Sequence, residues 1–373
     1  MRIALNMLFV APGVAGGRVY CEGLLKGLQE VDRENEYVAY TRRGIRLPPL
    51  DPARFRQVEA PVAPASTVWR TLWEYRRLPR LLRREGFDLF HGLGTLSPSS
   101  RSCPFVLTIH DLIYRHFPAS LPLGYRLFMR WVHPTVARRA DRVIVPSRCT
   151  ARDVVELLGV KEERIRVVPY GPGNDFRPVT DQARIEAALA RYGVRRPYVI
   201  SVCRAYVHKN LAGLLRAYAV LRSRDRRDVQ LVLVGEKYRT GDALARLAEE
   251  LGVQEAVVFT GFASHEDLNA LYCGAAVFAF PSLAEGYGLP VLEAMACGTP
   301  VVASNASAVP EAVGAAGVVA DARNPEAFAA ALARMLEDDD LRAQSAKRGL
   351  ARAAEFSWET TAAGTLGVYR ELA

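Results

Sequence analysis

Two glutamates, Glu285 and Glu293, are separated by seven residues that begin with the run Gly286-Tyr287-Gly288-Leu289-Pro290. Proline suits the start of a helix and Gly298 suits its end, so this spacing predicts a short helix whose N-terminus is aimed at the glycine-rich loop before it. Glu285 then precedes the helix and Glu293 falls in its first turn, where backbone N–H groups are unpaired. Such a site can hold an anion and grip hydroxyls together. A lone glutamate there would read as a surface group complementing the helix dipole, but the whole constellation around it favours chemistry. A second cluster lies upstream, where Arg204 and Lys209 bracket a four-residue loop between a strand and a helix of Leu211, Leu214 and Leu215 that Asn210 can cap. Arginine as a planar fork and lysine as a point charge can together neutralise a diphosphate. Lys209 is the more informative, being one of only five lysines among 49 basic residues.

Other candidates are weaker. Ala11–Gly17 forms a glycine turn entering an apolar-periodic helix, where Gly16 and Gly17 let backbone amides approach an anion. The dinucleotide spacing G-x-G-x-x-G is absent, and the second strand ends in Thr41-Arg42-Arg43 without an acidic residue, which disfavours NAD and leaves NADP open. His91 and His110 fall at strand C-termini. His91 reads as structural, whereas Asp111 can fix the His110 ring or cap the segment that follows. The six cysteines are never closer than 24 residues and read as small buried hydrophobes of a reducing compartment. No His/Asp/Glu spacing forms a metal site, and neither a G-x-S-x-G elbow nor a phosphate-binding Walker loop is present.

The elements that must position these residues alternate short β-branched runs with amphipathic stretches, the pattern of βαβ units. Strands are expected at Arg2–Phe9, Tyr37–Thr41, Leu89–His91, Phe105–Ile109, Arg142–Pro146 and Ile165–Val168, then at Tyr198–Cys203, Val229–Gly235, Ala256–Thr260, Val277–Pro281, Pro300–Ser304 and Gly317–Val319. Two such series in 373 residues mean two doubly wound α/β domains, with Pro169–Pro197 as the linker and a helix near Asp181–Tyr192 inside it. Half the residues are hydrophobic and 24% are charged, which excludes disordered, collagenous and coiled-coil chains.

The net charge of +9 is lopsided: residues 1–190 carry 29 Lys+Arg against 19 Asp+Glu, and residues 191–373 carry 20 against 21. Much of the surplus lies in the basic aromatic stretch Trp69–Arg84 and in Tyr125–Arg139. That composition suits a helix on anionic lipid and equally suits a domain helix with a solvated arginine face. Nucleic acid is disfavoured because no binding motif accompanies the charge. No apolar run reaches the length of a membrane span and the start enters a strand, so a cytoplasmic protein, peripheral at most to the inner membrane face, is expected.

These residues resemble the retaining family-four glycosyltransferases of the GT-B fold, two facing Rossmann-like domains with a nucleotide-sugar in the cleft. The markers are Arg204 with Lys209-Asn210, Leu231–Gly235, Val258–Phe262, and Glu285…Glu293 followed by Ala-Met-Ala-Cys-Gly-Thr-Pro-Val-Val-Ala. The first half matches more loosely through Gly16-Gly17, His110-Asp111 and Val168–Gly171. The resemblance implies an acceptor domain over 1–175, completed by a helix over 356–373 that crosses back onto it, and a donor domain over 190–355. It further implies that Arg204 and Lys209 hold the diphosphate, that Glu293 grips the ribose, and that Glu285 with the backbone of Gly286, Tyr287 and Gly288 binds the donor sugar. Leu289 would offer its N–H to phosphate, Gly235, Gly261 and Phe262 would border the nucleotide, His110 would meet the sugar near its reacting carbon, and Gly16-Gly17 would close on the diphosphate.

What the resemblance implies as activity is transfer of a hexose of the mannose or glucose type to a hydroxyl acceptor, a glycan, glycolipid or small molecule. Front-face attack, with the leaving phosphate taking the acceptor's proton, would retain configuration, and neither cofactor nor metal would be needed. A GT-B-type nucleotide-sugar epimerase, an NADP-dependent dehydrogenase and a non-catalytic sugar-nucleotide binder are the alternatives.

Overall fold

A computed structural model describes all residues except 12–14, 64–66, 100–101, 119–122, 174–175, 203, 205, 225–227 and 236–240. The middle of the Ala11–Gly17 turn, Cys203, Ala205 and Lys237 therefore lie outside the described residues. The chain divides into two compact units, one of Met1–Asn174 with Phe356–Ala373 and one of Asp175–Glu355.

The first unit has strands β1 (Arg2–Asn6), β2 (Glu36–Arg42), β3 (Phe55–Ala60), β4 (Leu89–Gly92), β5 (Phe105–Thr108), β6 (Arg142–Val145) and β7 (Ile165–Val167), with helices α1 (Ala15–Val31), α2 (Thr67–Arg76), α3 (Leu78–Glu85), α4 (Ile113–His116), α5 (Leu123–Arg139) and α6 (Arg148–Leu158). Among the described residues the sheet runs β3-β2-β1-β4-β5-β6-β7, every pairing parallel. A parallel sheet is covered on both faces, so its strands read as continuous apolar runs, and β4, β5 and all but the first residue of β6 are buried. Strand β3 was not expected from the sequence: its Phe-Arg-Gln-Val-Glu-Ala carries no apolar run and, at the edge of the sheet, is buried only at Phe55 and Ala60. Gly16 and Gly17 belong to the first turn of α1 rather than to the loop before it.

The second unit has α7 (Gln182–Tyr192), β8 (Tyr198–Val202), α8 (Leu211–Arg224), β9 (Gln230–Val234), α9 (Gly241–Glu250), β10 (Val257–Gly261), α10 (His265–Gly274), β11 (Val277–Phe280), α11 (Leu289–Ala296), β12 (Val301–Ser304), α12 (Val309–Val313), β13 (Val318–Ala320), α13 (Pro325–Glu337) and α14 (Asp339–Ala354). Its sheet runs β10-β9-β8-β11-β12-β13, again parallel throughout. The helix expected within the linker is α7. It buries Ile185, Ala188 and Leu189 and is tied to α10 by Arg191 and Tyr192 on Asp267, at 2.7 and 3.0 Å, so it belongs to the second unit.

The last helix, α15 (Trp358–Arg370), belongs to the first unit. Ser357 caps it in a reciprocal pair with Thr360, and Trp358, 2% exposed, lies on α1. Gly23 and Gly27, one turn apart on α1, leave the flat track this needs: a Cβ on Gly23 would stand 2.2 Å from the Trp358 ring, and one on Gly27 2.2 Å from its carbonyl oxygen. His91, fully buried, hydrogen-bonds Tyr369 on α15 at 2.7 Å and Thr108 on β5 at 2.8 Å, so it ties the helix to the sheet. Burial lowers its pKa to about 3, and it stays neutral as part of the core.

Candidate functional site

In an open parallel sheet, ligands bind beyond the carboxyl ends of the strands where the strand order reverses. In the second unit that point lies between β8 and β11. The two motifs singled out in the sequence leave those strands, one after each. β8 runs into Arg204, a single helical turn over Val207–Lys209 and Asn210, while β11 runs into Pro281–Gly288 and then α11.

The loops are held together from within. Leu283 N–H donates to the His208 carbonyl at 2.7 Å and Ser282 Oγ donates to it at 3.2 Å. Lys209 Nζ donates to Glu285 Oε1 at 2.5 Å, with the side chains only 16% and 9% exposed, and the ammonium stands 5.6 Å from the Phe280 ring centre. Asn210 takes the left-handed conformation, φ 55°, and its backbone carbonyl accepts from Leu214. Its side-chain amide donates to the carbonyls of Ala322, at 2.8 Å, and Pro281, at 3.4 Å, so it braces the loop after β11. Gly213 leaves room for that side chain, since a Cβ there would come within 2.4 Å of Asn210 Oδ1.

Glu285 is fixed through its backbone by Ser307, whose Oγ accepts from the Glu285 N–H at 3.2 Å and donates to its carbonyl at 2.8 Å. Gly288 caps α11 at φ 106°, a conformation that a side chain would strain. Leu289 is the first helical residue and Pro290 the second, so Glu293 falls in the second turn and not the first. Removal from water raises the Glu293 carboxyl to about 7, opposed by the Tyr272 hydroxyl, which donates to Oε2 at 3.4 Å. Tyr287 is buried, and burial pushes its phenol up. Neither Ser307 nor Tyr272 stands out in the sequence. Each arrives from an element remote in sequence, the loop after β12 and helix α10, and neither carries a motif of its own.

Along the same edge, Gly235 follows β9 and Gly261 ends β10. Gly235 N–H donates to the Gly261 carbonyl at 2.9 Å, both glycines have positive φ (143° and 71°), and Phe262 stands 76% exposed. Gly235, Gly261, Phe262, Arg204, Lys209, Glu285 and the Gly286–Leu289 turn thus follow the carboxyl ends of four successive strands, β10-β9-β8-β11.

His110, Gly16 and Gly17 belong to the first unit. His110 Nε2 faces the Leu93 carbonyl and Nδ1 the Tyr170 hydroxyl, both at 2.8 Å, with Phe9 and Tyr20 rings against it. A carbonyl can only accept, so Nε2 carries the proton and Nδ1 accepts from Tyr170. Burial lowers the ring's pKa to about 4, so it is neutral near pH 7. Of the two roles open to Asp111, the structure shows the second: its Oδ1 accepts from Ile113 N–H at 3.0 Å, at the start of α4. Among the described residues no group of three or more His, Cys, Asp or Glu could hold a metal ion, and no helix is long and apolar enough to cross a membrane.

Residues 188–352 match the family model of glycosyl transferases group 1, and residues 14–171 match glycosyltransferase family 4. The O-antigen chain mannosyltransferase B of Escherichia coli is 33% identical over 325 residues, 83% of this chain and 84% of that protein. The chain belongs to the family-four glycosyltransferases. The MMP alpha-(1->4)-mannosyltransferase of Mycolicibacterium hassiacum is 34% identical over 78% of this chain and 72% of its own length. Among solved structures, sucrose-phosphate synthase from Thermosynechococcus elongatus superposes with a TM-score of 0.80, covering 100% of this chain and 99% of that one at 24% identity. The glycosyltransferase therefore has the GT-B architecture of two Rossmann-like parallel-sheet units.

Proposed function

We propose that this glycosyltransferase moves a hexose of the mannose or glucose type from a nucleotide-diphosphate sugar to a hydroxyl acceptor, with retention and without a metal ion. The observation that carries the reading is the Lys209–Glu285 pair at 2.5 Å, which sets a cation and a hydroxyl-binding carboxylate side by side beyond β8 and β11. Departure of a nucleoside diphosphate develops negative charge, and a fixed ammonium in a partly dry site stabilises it. Arg204 adds its planar fork, and the N–H groups of Leu289 and the Gly286–Gly288 turn face the same anion. Glu293, as a carboxylate, accepts from the ribose hydroxyls. The exposed Phe262 ring suits stacking on the base. His110 and Gly16-Gly17 complete the set by resemblance. Because His110 is neutral and both its nitrogens are engaged, it presents an oriented ring and the leaving phosphate remains the acceptor's base.

The mannosyltransferase names of the two relatives support the hexose, and the first unit is assigned the acceptor. Its α2 exposes Trp69 and Leu72, and α5 exposes Leu123, Leu127 and Trp131, one turn apart each. With the arginines beside them these faces suit a peripheral contact with anionic lipid, and hence a cytoplasmic enzyme acting near a membrane.

A thermal-shift screen of GDP, UDP and their sugars tests the donor: at a hundredfold excess over Kd the cognate nucleotide stabilises the fold by about 2.7 kcal/mol. Turnover unchanged by chelator and a product anomer matching the donor's complete the reading. Absence of any nucleotide-dependent shift, together with full turnover in Glu293→Ala, would sink it.

A further inference from the structure

Two thiols that glycosyl transfer does not use meet beside Glu293. Cys273 lies in the last turn of α10 and Cys297 caps the end of α11. Cys273 Sγ lies 3.7 Å from the Cys297 carbonyl oxygen, which brings the two cysteines together. Their environments differ. Cys297 is 5% exposed and donates to Asn269 Oδ1 at 3.0 Å. Cys273 is half-buried under the segment 177–179, accepting from Val179 N–H at 3.3 Å and facing the Arg177 carbonyl at 3.5 Å.

The neighbouring Cys297 thiol lowers the pKa of the Cys273 thiol against the effect of burial, and the nearby Arg184 charge helps. The same contact, with burial, pushes Cys297 up. A half-buried thiol with a lowered pKa beside a buried thiol with a raised one is the arrangement of an attacking and a resolving cysteine.

We propose that Cys273 and Cys297 form a thiol–disulfide exchange site for a small-molecule disulfide, and that closing the bond between them weakens donor binding. The second half rests on the ribose-binding role proposed for Glu293. The Cys273 thiolate attacks one sulfur of R–S–S–R, breaking that bond and releasing RS⁻. Cys297 then loses its proton and displaces the second RS⁻, so two protein thiols are oxidised while one disulfide is reduced to two RSH.

The coupling follows from position. Cys273 is bonded in sequence to Tyr272, which donates to Glu293, and Cys297 lies one turn beyond Glu293, its N–H on the Glu293 carbonyl at 3.2 Å. A covalent link therefore joins the two residues that flank the Tyr272–Glu293 contact. It also draws the Cys297 sulfur from Asn269, whose Oδ1 accepts from Arg177 N–H at 3.2 Å.

The test exposes the native full-length enzyme to oxidised glutathione and maps peptides by mass. A Cys273–Cys297 cross-link is expected, reversed by dithiothreitol, with donor KM raised about tenfold, the factor for one hydrogen bond to a carboxylate, and kcat little changed. Cys273→Ser and Cys297→Ala should keep the reduced enzyme's KM and lose the response. Glutathione on the half-buried Cys103 with no 273–297 link would overturn the exchange site. A link with unchanged donor KM would overturn the coupling. Glu293→Ala in the reduced enzyme reports separately on the ribose role: an unchanged KM there removes that role and the coupling, while the cross-link stands or falls on mass alone.

Discussion

Replacing Lys209 by alanine separates the chemical from the structural worth of the ion pair. Its ammonium sits 2.5 Å from Glu285 Oε1, and the two side chains are 16% and 9% exposed, so neither charge is well solvated. Two unit charges about 4 Å apart at an effective dielectric near 20 interact by about 4 kcal/mol. Only the part that develops as the diphosphate departs enters the barrier, about half or more of it. At tenfold per 1.36 kcal/mol this predicts a loss of about 30-fold to 10³-fold in kcat/KM. The same change strands the Glu285 carboxylate, and breaking one side of a buried pair costs about 3–5 kcal/mol of stability. The assay is donor-dependent kcat/KM beside urea unfolding for Lys209→Ala, Glu285→Gln and the double variant. The double variant should regain most of the stability and none of the rate. Recovery of rate along with stability, or a folded Lys209→Ala within about threefold of the parent, would show the pair to be a structural brace and refute its role at the diphosphate.

Three further outcomes follow from the geometry. Because Glu293 titrates at about 7 and must be ionised to accept from hydroxyls, donor KM should fall as pH rises through about 7, and Glu293→Gln should show a high KM without that dependence. Gly23→Ala forces a Cβ to within 2.2 Å of the Trp358 ring. It should cost about 1–3 kcal/mol in urea unfolding, whereas Gly16→Ala, which meets nothing within 4 Å, should change stability little. Glu371, held by Arg142 and Arg166 at 2.6 and 2.8 Å, is lowered to about 2. Its contribution is complete above the ordinary glutamate range and disappears as pH falls toward 2, so Glu371→Gln should flatten the acid limb of a stability-versus-pH curve. Being on the surface, this effect should shrink in high salt.

Most strands could be read from the sequence because parallel strands buried on both faces leave apolar runs, as in Val143–Val145 within β6 and Leu231–Val234 within β9. The edge strand β3 carries no such run. The donor motifs were legible for a related reason: each is a continuous loop following one strand, so its composition is local. What was hidden is what the sheet order brings together. Ser307 reaches Glu285 across 22 residues, Tyr272 reaches Glu293 across 21, and the Tyr170 partner of His110 lies 60 away. Asn210 shows the limit on a local reading: its type and place suit a helix cap, yet its amide serves carbonyls 71 and 112 residues distant. The position of Glu293 in the second turn of α11 depended on the helix starting at Leu289, a boundary that proline alone does not fix.

The first unit is assembled from both flanks of the second, and this orders events during synthesis. When the chain has been made only as far as Glu355, the second unit has all its elements, but α1 still shows the bare track of Gly23 and Gly27, and His91 has no Tyr369 to meet. The unit translated first is thus the one finished last. A premature stop just before Phe356 would release a protein whose flaw lies in its first unit.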